Sequence, residues 1–168
     1  MMTAALTKPR SNANDGDAIK RKFLEILLTL RRYNHAMTEI YRTALSGIFA
    51  AGARIANNAN NIANIFSTGR LPANPGDATD AYAPTRIGTQ SAPNGGVIVE
   101  KTPVTPAYKV ASDPDSPKAN ADGLVAAPNI DLANELVDLR IASILYTANA
   151  VVIKTQSENE KRLLDTLA

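Results

Sequence analysis

The 168 residues suffice for one ordinary domain, yet only 5% are aromatic, there is no Trp, and the 45% hydrophobic content is mostly Ala with Ile, Leu and Val. Ala supplies helix propensity and close approach but little buried area, so a fold built this way needs contacts from neighbours. The absence of Cys and the single His exclude disulfides, Cys metal sites and multi-His metal sites, and the formal charge of +2 is close to balanced.

The prolines divide the chain. Pro9 stands alone near the start and the other nine lie between Pro72 and Pro128. Because Pro is excluded from helix interiors, two helical segments flank a non-helical middle. Residues 1–16 are small and polar and are read as a disordered N-terminus. Met1 to Asn14 has no apolar core with a cleavage-type site, so no Sec-type signal is expected. Residues 17–36 form an additional amphipathic helix, capped by Asp15 or Asp17. Apolar residues recur at Ile19, Phe23, Ile26, Leu30, Tyr33, Met37 and Ile40 in heptad steps. His35, within this helix, is read as solvent-facing.

Residues 37–66 form an N-terminal axial helix with a second heptad line, Tyr41, Leu45, Ile48, Gly52, Ile55, Ala59 and Ile62. This line is shifted by one position from the first, so either the stripe turns around the helix near residue 40 or the helix breaks there. Gly47 and Gly52 each weaken the helix by about 1 kcal/mol relative to Ala, and each also lets another backbone approach closely. The stretch 67–128 is a Pro/Gly-rich linker with a small β region. Asn94-Gly95-Gly96 signals a turn before the strand Val97-Ile98-Val99, and Tyr82 to Thr89 and Ala107 to Ala111 are further strand candidates. Asp113 to Pro117 and Ala121-Asp122-Gly123 read as turns.

Residues 129–168 form a C-terminal axial helix, with Asn129 and Asp131 as N-cap types. Leu132, Leu136, Leu139, Ser143, Tyr146, Ala150, Ile153, Ser157, Glu160, Leu164 and Leu167 form one heptad line. Val137, Ile141, Ile144, Ala148 and Val151 form another. A two-helix hairpin buries one seam, so a second seam implies further subunits. The fold class expected is mainly α: long N- and C-terminal helices pairing as an α-helical coiled-coil axial domain, with a small irregular or β middle.

Charge is unevenly placed. Residues 1–54 hold nine Lys/Arg against four Asp/Glu, and residues 55–168 hold nine against twelve. The basic group Lys20, Arg21, Lys22, Arg31 and Arg32 suits a nucleic-acid or membrane surface. Without interleaved aromatics for base stacking, it is read instead as a solvated face complementary to the acidic half of a neighbouring copy. No apolar run approaches the roughly 20 residues of a membrane span, so no transmembrane span is expected.

Two motifs carry a resemblance. Ala44-Leu45-Ser46-Gly47-Ile48, then Ala56 to Asn64 with its Asn-Asn-Ile-Ala-Asn run, then Ser67-Thr68-Gly69, resemble the N-terminal signature of flagellar rod and hook proteins. Asn129 to Val137 resembles that family's "NVDLAxEMV", Tyr146 to Ala150 its "YxAN", and Ile153-Lys154-Thr155 its continuation. The match covers about 38–69 and 107–168. The short middle, and the run from Asp113 to Val125 leading into Asp131, are most like a proximal rod protein. The chain departs from the family in the 36 residues before Met37, in the long linker Arg70 to Ala81, and at Arg140, Ile144 and Leu145.

The resemblance implies a structural subunit of the bacterial flagellar basal-body rod, polymerising through its terminal helices to transmit torque from motor to hook. Its partners would be copies of itself, other flagellar rod proteins and the flagellar export apparatus. It would be exported without a cleaved Sec-type signal and assembled in the periplasm. The assembly interface expected comprises Leu45, Ile48, Ile55, Asn58, Asn61, Ile62, Asn64, Leu132, Leu136, Leu139, Tyr146, Asn149, Ile153 and Leu164, with several Asn side chains reaching across subunit contacts. A non-flagellar coiled-coil adaptor or binding protein is the alternative. An enzyme is disfavoured: there is no glycine-rich phosphate loop after a strand and no identifiable carboxylate pair. No cofactor, metal, nucleic acid or small-molecule substrate is expected.

Overall fold

The computed structural model describes residues 13–74, 77 and 79–167. The element order is α1 (Ala13–Ala63), β1 (Thr85–Ser91), β2 (Val97–Pro103), β3 (Tyr108–Ser112), β4 (Leu124–Pro128) and α2 (Leu132–Leu167). Two long helices thus flank a small antiparallel middle. The irregular start falls on residues 1–12, outside the described residues, while Ala13–Gly16 belong to α1. Helix α1 runs without a break through residue 40. The chain divides into two units between Thr38 and Glu39. In the first, the helix is exposed from Asp17 to Ala36, His35 included.

In the second unit, α1 from Glu39 onward packs against α2 in antiparallel order. Tyr41 meets Glu160 and Ser157, Gly47 meets Asn149, and Asn61 meets Glu135. A Cβ added at Gly47 would stand 2.7 Å from the Asn149 amide, so glycine sets how near the helices lie. The α1 residues facing inward are Ala44, Gly47, Ala51, Asn58 and Asn61. From Ala44 to Asn61 this line sits one residue before the expected Leu45, Ile48, Gly52, Ala59 and Ile62, while Tyr41 meets α2 as expected. On α2, Leu139, Ser143, Ala150, Ile153 and Glu160 are partly covered as expected, but the most buried positions are Ala142 and Gln156, with Glu135 and Asn149 also turned to α1, while Leu136 is exposed. Choosing the largest side chains as the seam suits a free-standing coiled coil. Here small residues let the helices approach closely, and the large ones are left outside.

The Asp131 cap is as the sequence suggests. Its Oδ1 accepts from Ala133 N at 3.0 Å and Asn134 N at 3.2 Å, satisfying free amides of the first turn of α2. In the middle segment β1 pairs with β2 from Thr85↔Pro103 to Ser91↔Val97, and β3 with β4 from Tyr108↔Pro128 to Ser112↔Leu124. Gly95 and Gly96, both at φ 83°, make the β1–β2 turn. Val97 N donates to Ser46 Oγ at 3.1 Å, docking this hairpin on α1. Strand β4 was not foreseen. Leu124-Val125-Ala126-Ala127-Pro128 has weak strand propensity, and its order comes from pairing with β3 and with Gly69, which exchanges two backbone hydrogen bonds with Ala126. A Cβ at Gly69 would lie 2.1 Å from Ala81 N. Val125 and Ala126 are fully buried.

The core is thin. Among the described residues seven of the nine buried hydrophobic ones are Ala, with Val125 and Ile130 completing the set. Burial of such small side chains stabilises little per residue, so the polar contacts between elements matter more than usual.

Candidate functional site

Two features stand out in the second unit: a buried cluster of amides where three elements meet, and apolar surface on the outer sides of both helices.

The amide cluster is built from the Asn-rich end of α1. At 3.6 residues per turn, Asn57, Asn58 and Asn61 share one side of the helix, while Asn60 points away. Asn61 is fully buried. Its Nδ2 donates to Thr85 O at 2.9 Å and to Glu135 Oε1 at 2.8 Å. Its Oδ1 accepts from Tyr82 Oη at 3.0 Å and Thr85 N at 3.4 Å. All four bonding positions of the amide are therefore used. Asn57 donates to Thr85 O at 2.7 Å and accepts from Thr85 Oγ1 at 2.6 Å. Asn58, its amide oriented by its surroundings, donates to Glu135 Oε2 and to Arg54 O, each at 3.2 Å. Among the described residues no buried side-chain polar atom lacks a partner.

Glu135 is thus the α2 end of a latch that ties α1, the entry to β1 and α2 together. Desolvation raises its carboxyl above the usual value of 4.5; the Asn61 hydrogen bond opposes this, Asp138 and Asp131 add to it, and Arg86 opposes it. Tyr82 is likewise raised, first by burial and then by Glu135. A polar recess of about 170 Å³ beside the latch is lined by Asn57, Asn58, Thr85, Arg86, Asp131 and Glu135, among others. Nothing in it pairs a nucleophile with a base. Among the described residues, no group of three His, Cys, Asp or Glu is placed to hold a metal ion.

The expected interface residues separate into two sets. Asn58 and Asn61 are buried, and with Asn57 their amides are used within the chain rather than offered outward. Asn149 lies against Gly47 and donates to Leu145 O. Asn64 donates to Asn60 O and accepts from Ser67 Oγ, closing the end of α1. Ile48, Ile55, Ile62, Leu139 and Ile153 are half-buried. Leu45, Leu132, Leu136, Tyr146 and Leu164 are exposed. The sequence alone does not single out Phe49 and Phe66, both more than 60% exposed: Phe49 falls off the heptad lines, and Phe66 lies one step beyond the end of the second. The second line of α2 is exposed too, with Val137, Ile141, Ile144 and Val151 all above 40%.

That outer surface makes Leu132–Thr166 long and apolar enough, by length and composition, to cross a membrane. No unbroken apolar run shows in the sequence there, because Glu135, Asp138, Arg140 and Lys154 interrupt it. The inward face of α2, with Glu135, Asn149 and Gln156 packed on α1, marks it instead as one half of a helical pair.

No protein-family model matches the chain. It is 28% identical over 120 residues to the flagellar basal-body rod protein FlgC of Escherichia coli O6:H1, covering 71% of this chain and 90% of that protein. It is 28% identical over 132 residues to the FlgC rod protein of Agrobacterium fabrum, covering 75% and 91%. Against that of Bacillus subtilis it is 35% identical over 66 residues, 39% of this chain and 44% of the relative. The chain is thus similar along most of its length to flagellar basal-body rod proteins. The Asn-rich segment acquires a physical meaning in this chain. Its Asn57, Asn58 and Asn61 bind Thr85, Tyr82 and the Glu135 of the second motif, so the two motifs meet in space.

Proposed function

We propose that this chain is a structural subunit of the flagellar basal-body rod that polymerises through the outward faces of α1 and α2 and so helps transmit torque from motor to hook. The observation that carries the reading is an inversion of the usual order. Ala, Gly and Asn fill the seam between the helices, while Leu45, Phe49, Leu136, Val137, Ile144 and Val151 face out. A soluble monomer exposes contiguous apolar patches of this kind only where something covers them. In a polymer, neighbouring copies and other rod proteins supply the cover, packing the helices of residues 37–66 and 129–168 as a coiled-coil axial layer. Residues 67–128 then form a module held to that layer by the latch, and residues 17–36 an accessory helix. Passage through the flagellar export apparatus into the periplasm fits a cysteine-free chain whose core is thin enough to unfold cheaply. The relatives, all named as rod proteins, favour this reading over a non-flagellar adaptor.

The test is genetic and structural. Deleting the gene should leave basal bodies whose rod is missing or truncated, and the wild-type chain should restore it. Complementation by Ile144→Asp should fail although the variant is produced and folds. Complete rods in the deletion strain would refute the reading.

A further inference from the structure

Helix residues Asp17 to Ala36 have features that rod assembly does not use. Every residue in this span is exposed. From Phe23 to Leu30 six of eight positions are large and apolar, interrupted only by Glu25 and Thr29. These six side chains, Phe23, Leu24, Ile26, Leu27, Leu28 and Leu30, stand 47% to 62% exposed. The Thr29 hydroxyl donates to Glu25 O at 2.8 Å, folding its polar atom back onto the helix. At about 100° per residue the six cover more than half the helix circumference. A coiled-coil seam needs only the two positions per heptad that face a partner helix, so a helical groove would leave Leu24 and Leu28 uncovered.

The charges lie at the two ends of this block. Lys20, Arg21 and Lys22 precede it, and Arg31 and Arg32 follow it. Against these five, Asp17 and Glu25 are the two acidic residues of the span. Asp17 pairs with Lys20 at 3.8 Å, both highly exposed, a contact of little energy that leaves the span with three net positive charges. A broad apolar face bracketed by basic residues fits an interface where the apolar block sinks below a layer of negative headgroups and the long basic side chains reach up to them. The block is too short and too charged at its ends to span a bilayer.

We propose that residues 17–36 form an interfacial helix that lies on an anionic lipid surface. This goes beyond the rod reading and does not depend on it.

The test is flotation of the full chain with vesicles of neutral phosphatidylcholine and with vesicles containing phosphatidylglycerol. Three net positive charges should make binding to the anionic vesicles roughly a hundredfold tighter, and high salt should remove the preference. Replacing Lys20, Arg21, Lys22, Arg31 and Arg32 together by Gln in the full chain should abolish the preference without lowering the thermal stability of the second unit. Leu27→Glu should weaken binding to both vesicle types. Ile144→Asp, on the outer face of α2, should leave binding unchanged. Equal binding to neutral and anionic vesicles, or binding lost with Ile144→Asp but kept in the five-fold Gln variant, would overturn the proposal. So would absence of binding to either vesicle together with self-association that depends on Leu27, since the occupant would then be a second copy.

Discussion

The two sides of the α1–α2 pair are made from different materials. The side of α1 turned to α2 carries Ala44, Gly47, Ala51, Asn58 and Asn61; the side turned away carries Leu45 and Phe49. On α2 the inward side has Ala142, Asn149 and Gln156, the outward side Val137, Ile141, Ile144 and Val151. Small and amide side chains give a close seam whose stability rests on saturated hydrogen bonds, with little apolar area behind it. Large apolar side chains on the outside, about half exposed, stabilise a free subunit less than full burial would. The difference teaches that the pair is specified by polar matching, and that the larger apolar area lies outside it, where the assembly proposed above would cover it.

The inner side should be the more sensitive to single changes. Asn61→Leu fits the volume but leaves Thr85 O, Tyr82 Oη and one Glu135 oxygen short of partners at a fully buried site. The expected loss is about 3–5 kcal/mol in urea unfolding of the free subunit. A loss below 1 kcal/mol would mean that the latch does not hold the elements together. Gly69→Ala should come next, at about 2–3 kcal/mol, because its Cβ would meet backbone at Ala81 rather than a movable side chain.

Outer changes should invert this pattern. Leu136→Asp and Ile144→Asp replace side chains that are 51% and 56% exposed. Unfolding free energy should move by no more than about 0.5 kcal/mol, while motility is lost. Normal swimming with either variant would remove that position from the assembly face.

A finer probe of the inner side is pH. The Glu135 carboxyl is raised above 4.5 in the folded chain, so it holds its proton more tightly folded than unfolded. Its contribution to stability is therefore greatest below 4.5 and declines as pH rises through 4.5 toward the folded value. Glu135→Gln should flatten that part of the stability profile, seen as a difference from wild type, and should shift stability at neutral pH by no more than about 1 kcal/mol. A difference profile with the opposite slope would contradict the desolvation of this group. The smallest effect is expected from a chain begun at Met37, which keeps both sides of the pair. It should still enter the rod, as scored by its presence in purified basal bodies.

Much of this was legible in the sequence because Pro and Gly are strong local signals. The proline-free stretches gave both helices, Asn94-Gly95-Gly96 gave the β1–β2 turn, and Asp131 gave the start of α2. The heptad lines marked which residues are large and apolar, but not which side of the helix they serve. That depends on whether Asn58 and Asn61 find partners in the chain, and those partners, Thr85 and Glu135, lie 24 to 77 positions away. Strand β4 was illegible for a similar reason: Ala126 becomes a strand residue through Tyr108–Ser112 and Gly69, not through its own propensity. Phe49 and Phe66 escaped notice because exposure is a property of packing, not of spacing.

The absence of Cys allows one direct measurement of the central claim. A single Cys placed at Ile144, on the outward face, can be reacted with a maleimide in the free subunit and in purified basal bodies. If the outward face is the assembly face, Ile144→Cys reacts readily in the free subunit and at least tenfold more slowly in the assembled rod, a factor that corresponds to about 1.4 kcal/mol of protection. Equal reactivity in the two states, in rods shown to contain the variant, would contradict the account.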